Sequence, residues 1–161
     1  MMKKCDVIKK YTVGEKDSLC LTLKVRDMLK LKGKTDKAFL LSSIYSKVDI
    51  NLDEVFKMHN ESSNLVTIIC TNKTVEIPYE ILEIGNYNEI KFMQTNPRFT
   101  FTVSTGTYII SPEFMDYLED KEDSDLDSVI KYCLRKNEKI GVVMVPSSSF
   151  KDLRDIRVFS D

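Results

Sequence analysis

Arg98-Phe-Thr-Phe-Thr-Val-Ser-Thr-Gly-Thr-Tyr-Ile-Ile110 decides the fold class. Phe99, Phe101 and Val103 alternate with polar residues, the period of a strand with one covered face. Thr107–Ile110 resumes as a second strand. Ser104-Thr105-Gly106 between them reads as a hairpin turn in which glycine supplies the awkward φ. Working outward, Leu65–Cys70 and Thr74–Ile77 read as paired strands that turn at Thr71-Asn72-Lys73, and Ile90–Met93 as another strand. Ile140–Val145 is the most apolar strand of the chain, and Leu19–Leu23 and Ala38–Ile44 are two more.

Helical spacing appears between these runs. Leu52, Val55 and Phe56 share one face of a short helix, with Asn51 as N-cap and Glu54 three residues on, as in a capping box. Pro78 is suited to open a helical turn through Leu82. Ser111-Pro112-Glu113 opens a helix carrying Phe114, Met115 and Leu118, and Leu126–Lys136 is a second one with an apolar stripe. Ser149 caps a last turn through Leu153, and Ile156–Phe159 adds an edge strand. The expected class is α+β: a β-rich core, barrel-like or an antiparallel sheet, with several short helices and two helices in the C-terminal third. Leu21, Leu23, Leu40, Ile68, Ile77, Phe101, Ile130 and Val143 are the expected core positions.

With 161 residues, 42% apolar and 30% charged, the chain has the composition of a folded domain. One domain over 1–161 is expected, divisible into a β-rich core (1–110) and a helical and strand C-terminal part (111–161). Four widely spaced cysteines and a single histidine leave no zinc-ligand spacing, so no metal and no cofactor are expected. No apolar run approaches the ~20 residues that span a bilayer. The N-terminal lysines lead into no apolar signal segment, so a cytoplasmic protein with reduced thiols is expected.

Charge is unevenly divided. Residues 1–35 hold ten basic and four acidic groups, a net of +6, while the remaining 126 hold 14 and 21, a net of −7. The acidic maximum runs from Glu113 to Asp127, where Lys121 is the only base among eight carboxylates. Glu119–Asp125 contains no apolar residue and reads as a solvated loop. It lacks the central glycine of a calcium-binding loop.

Three stretches share a plan of strand, short turn and further segment, beginning at Ser18, Lys73 and Gly106. The first two, with Leu29-x-Leu31-x-Gly33 and Thr74-Val-Glu-Ile-Pro followed by Gly85, resemble the AbrB/MazE swapped-hairpin family over residues 7–44 and 65–94. That resemblance implies a cradle-loop barrel, and DNA contacts from Lys9, Lys10, Lys24, Arg26 and Lys30 around a strand–helix junction. Phosphate contact requires charge and reach, and the Arg26 fork suits guanine.

Catalytic signals are thin. His59 lies near a helix end, where capping or macrodipole contacts are the ordinary role. The five glycines form no phosphate loop, and Ser147–Ser149 after Pro146 reads as a capped turn. The expectation is a non-enzymatic regulatory protein. Its partner would be duplex DNA or a protein of the transcription machinery, met through the basic N-terminal face, and a homodimer is a form this reading allows. The alternative is an adaptor or inhibitor that binds protein through Glu119, Asp120, Glu122, Asp123 and Asp125, without nucleic acid.

Overall fold

A computed structural model describes residue 28 and residues 36–43, 45–119 and 124–153. Eight strands are set among these: β1 (Phe39–Ser42), β2 (Ser46–Val48), β3 (Val66–Glu76), β4 (Glu80–Ile84), β5 (Ile90–Thr95), β6 (Arg98–Ile110), β7 (Ile140–Met144) and β8 (Phe150–Asp152). Helices α1 (Leu52–Glu61) and α2 (Leu126–Arg135) join short 3-10 turns at Pro112–Tyr117 and Ser147–Ser149. The class is α+β.

The central sheet is mixed, in the order β1-β6-β3-β7: β6 is antiparallel to both β1 and β3, and β7 runs parallel to β3. β2 with β8, and β4 with β5, form separate antiparallel pairs. No closed barrel is formed among the described residues.

The period-2 alternation of β3 and β6 sends neighbouring side chains to opposite faces, so the sheet carries a core on each. Val66 and Ile110, directly opposed, pack with Phe39, Phe114, Leu118, Val129 and Cys133, and Met28 joins them. On the other face Ile69 and Ile109 meet Val55 of α1 and Val145. The Asp125 carboxylate caps α2, accepting from the Ser128 amide at 2.7 Å. α1 starts at Asn51 as its spacing predicts, but the Asn51 side chain makes no capping bond.

Several sequence expectations are overturned. β3 runs straight through Thr71-Asn72-Lys73, because each of these residues has a ladder partner on β6. Pro78 opens no helical turn; the chain enters β4 two residues later. Ser149 ends a 3-10 turn rather than capping one, and Phe150 starts β8. Of the expected core positions, Ile130 is buried, while Ile68, Ile77 and Val143 are half-buried. Leu40 is 39% exposed on the edge strand β1, and Phe101 is 54% exposed. Phe101 lies where β3 and β6 run on past the ends of β1 and β7, so no layer among the described residues covers it. Leu21, Leu23 and the Leu19–Leu23 and Ile156–Phe159 strands lie outside the described residues.

A candidate ligand cleft at the β6 bulge

Ser104-Thr105-Gly106 is no hairpin turn. β6 is continuous, and between the pairs Ile69↔Thr107 and Cys70↔Ser104 the register shifts, so Thr105 and Gly106 bulge out of the ladder. Three bonds shape the bulge. The Gly106 amide donates to Ser104 Oγ at 3.1 Å, Thr105 Oγ1 donates to the Ile69 carbonyl at 2.9 Å, and the Ser43 amide donates to the Gly106 carbonyl at 2.9 Å. Gly106 has φ +75°, and a Cβ there would stand 3.2 Å from the Ser43 Cβ. The positive φ favours glycine, and a Cβ would in addition press on Ser43. Bulges commonly re-aim chain beside functional sites.

Opposite the bulge, the end of β1 turns back into β2. The Tyr45 amide donates to Ser43 Oγ at 3.2 Å and the Ser46 amide to the Ser43 carbonyl at 3.1 Å. β8 pairs with β2 so that Asp152 faces Ser46, and the Leu153 amide donates to the Tyr45 carbonyl at 2.8 Å. These segments enclose a cleft of about 170 Å³. Its walls present the hydroxyls of Ser43, Ser46, Ser104 and Tyr108, the rings of Tyr45 and Phe150, and the carboxyl of Asp152. Burial pushes the Tyr108 phenol above its ordinary value, so it stays neutral as a hydrogen-bonding group.

A second cleft of about 270 Å³ shares Ser46 and lies against Leu40, Lys47, Asp49 and Leu52. Thr107 sits between them, its Oγ1 3.0 Å from Ser42 Oγ and 3.1 Å from Ser46 Oγ, tying β6 to β1 and β2. Together the clefts offer paired hydroxyl donors and acceptors, flat apolar rings, two carboxyls (Asp152 and Asp49) and, at the rim, the Lys47 ammonium. That chemistry suits a polyhydroxylated ring bearing a negative group.

His59 belongs to neither cleft. It is buried, with Nδ1 2.8 Å from Thr67 Oγ1 and Nε2 2.9 Å from Ser111 Oγ. Ser111 Oγ donates its proton to the Asn64 carbonyl at 2.8 Å, so it accepts from His59 Nε2. Asn64 Nδ2 donates to Thr67 Oγ1 at 3.1 Å, which leaves the Thr67 proton for His59 Nδ1. The ring is a neutral Nε2–H tautomer inside a closed chain of bonds. Burial lowers its pKa, partly offset by the Glu113 charge. The sequence reading of a helix-end cap is corrected: the imidazole is a structural centre joining α1, β3 and the segment after β6.

Lys9, Lys10, Lys24, Arg26 and Lys30 lie outside the described residues, as do Asp120, Glu122 and Asp123. Glu119 is exposed and Asp125 is occupied as the cap of α2. The cleft residues escaped the sequence reading. An isolated glycine inside a strand pattern was the signal for Gly106, because it marks a bulge as readily as a turn. Asp152 carried no local signal at all.

The fold is shared with solved structures of low sequence identity. One solved structure that shares it is HddC from Yersinia pseudotuberculosis, with a TM-score of 0.52 at 16% identity, over 80% of this chain and 56% of that one. Another is a protein from Bacillus anthracis, assigned as a glucose-1-phosphate thymidylyltransferase and solved in complex with sucrose, with a TM-score of 0.53 at 8% identity, over 84% of this chain and 55% of that one. The chain therefore spans about half the length of these structures. No family profile and no curated protein matches the sequence.

This corrects the sequence reading in three respects. The backbone is not a swapped-hairpin or cradle-loop barrel of the AbrB/MazE kind: among the described residues, the second unit (65–94) is divided between a mixed four-stranded sheet and a separate hairpin, and the solved structures that share the fold are of another kind. The DNA-binding regulator and the acidic-face adaptor both fall with it, since the solved structures that share the fold include a protein named as a glucose-1-phosphate thymidylyltransferase. The expectation of a non-enzymatic protein is overturned on the same ground. Among the described residues, no helix is long and apolar enough to cross a membrane.

Proposed function

We propose that this chain acts on a sugar phosphate, in a nucleotidyl-transfer reaction of the kind that the name of the Bacillus anthracis protein describes. The hydroxyl-lined cleft takes the sugar ring, and the adjoining cleft, with Lys47 at its rim, takes the charged group. One observation carries the reading: in this fold, the β6 bulge at Thr105–Gly106 and the β1–β2 turn face Asp152 across a cleft of polar side chains and aromatic rings. Carboxylates and hydroxyls bond the equatorial hydroxyls of a sugar, and aromatic rings pack against its C–H faces. A cytoplasmic setting goes with this reading and is supported by the two buried free thiols, Cys70 and Cys133.

Calorimetric titration of the full chain with glucose 1-phosphate and with glucose tests it. Binding of the phosphorylated sugar, weakened about tenfold or more by Asp152→Asn and by Lys47→Gln, is the expected result; a lost charge-assisted hydrogen bond contributes about 1.5–3 kcal/mol. Absence of binding by either sugar would refute the proposal.

A further inference from the structure

The hydroxyls between the two clefts form a chain whose protons run one way. Ser42 Oγ lies 3.3 Å from the Ser43 carbonyl, which can only accept, so the Ser42 proton points there. Thr107 Oγ1, 3.0 Å from Ser42 Oγ, therefore donates to it, and Ser46 Oγ, at 3.1 Å, donates in turn to Thr107. A serine hydroxyl has one proton and two lone pairs, so Ser46 meets the clefts as an acceptor. Asp152 on β8 stands directly opposite Ser46 on β2, and both line the cleft of about 170 Å³. The Leu153 amide bonds to the Tyr45 carbonyl just beyond them, which makes Ser46 and Asp152 a non-hydrogen-bonded pair. Side chains come closest in such pairs, with Cβ atoms about 4.5–5.5 Å apart. Val48 and Phe150 are the next pair on the same face, and the rings of Phe150 and Tyr45 line the same cleft.

We infer that this corner of the cleft takes a protonated amino group, which makes the ligand an amino-sugar phosphate. The inference rests on the sugar-phosphate reading above and narrows it to a substrate class. A carboxylate accepts at about four lone-pair sites and donates at none, so Ser46 and Asp152 together call for two donors on one ligand group. A sugar hydroxyl has a single proton and can donate to one of them only. An ammonium has three protons and donates to both at once. Its charge also meets the carboxylate in a charge-assisted bond, roughly twice as strong as one between neutral groups. Aromatic rings attract a cation that lies within about 6 Å of their centres, which gives Phe150 and Tyr45 a second use besides packing against C–H groups.

Calorimetric titration of the full chain at neutral pH is the test, with glucose 1-phosphate and the series of amino-sugar 1-phosphates in which one hydroxyl of glucose is replaced by an amine. One member of the series should bind about tenfold tighter than glucose 1-phosphate, and acetylating its nitrogen, which removes the charge, should abolish that advantage. Asp152→Asn and Ser46→Ala should each shrink the ratio of the two affinities. Thr107→Val removes the acceptor that holds the Ser46 proton and frees it to turn into the cleft, so the ratio should shrink there too. A merely structural role for Thr107 would weaken both sugars alike and leave their ratio unchanged. That unchanged ratio, or a wild-type protein that binds glucose 1-phosphate as tightly as every amino sugar, would overturn the inference and leave the sugar-phosphate reading standing. Absence of binding by the whole series and by glucose 1-phosphate would overturn both.

Discussion

Replacing His59 by leucine removes the centre of a closed hydrogen-bond ring and leaves its partners in place. Two bonds disappear, His59 Nε2–H to Ser111 Oγ and Thr67 Oγ1–H to His59 Nδ1. Ser111 keeps the Asn64 carbonyl as its acceptor, but the buried Thr67 hydroxyl proton has none. Two bonds at about 1 kcal/mol each, plus about 1–3 kcal/mol for the orphaned donor, give a loss of about 3–5 kcal/mol. Urea unfolding followed by circular dichroism measures it. The wild-type protein also carries a pH signature from this residue. Burial holds the folded pKa below the ordinary 6.5, so between those values the unfolded chain binds a proton that the folded chain does not. Stability is then full above about pH 6.5 and falls as the pH drops below it, by at most about 1.4 kcal/mol per pH unit. The His59→Leu variant should lose this component of the slope. A loss under 1 kcal/mol, or an unchanged slope below pH 6.5 in the variant, would refute the assignment of a buried neutral imidazole.

Gly141→Ala should destabilise by about 1–3 kcal/mol, because a Cβ there would collide with the Asn64 carboxamide that feeds the same ring; thermal unfolding checks it, and a neutral result would mean that Asn64 has room to move. Gly106→Ala should cost about 1–3 kcal/mol for a side chain at positive φ and weaken sugar binding more than it weakens the fold, as paired unfolding and calorimetric curves would show. Ile130→Ala, in the core beneath α2, should cost about 2–5 kcal/mol in chemical unfolding.

The α+β class was legible because strand and helix periods are local: α2 and β7 fall where the Val129–Ile130–Cys133 stripe and the Ile140–Val145 run place them. What failed was non-local. Thr71-Asn72-Lys73 looks like a turn, and only the pairing of each residue with β6 makes it strand. Phe101 has the alternation of a buried face, yet its cover depends on where β1 and β7 stop. His59 was legible as structural but not as the joint of three segments, because Thr67 and Ser111 reach it only through the fold. The cleft was least legible of all. Its residues come from the β1–β2 turn, β2, β6 and β8, and Asp152 acquires meaning only when β8 pairs with β2.

Backbone amide mapping by NMR during titration with glucose 1-phosphate tests the central claim most directly. Binding at the bulge predicts saturable shifts concentrated at Ser43, Tyr45, Thr105, Gly106 and Asp152, with Lys47 moving when the phosphorylated sugar replaces glucose. Shifts absent from these amides, or gathered on the far side of the sheet around α2, would contradict it.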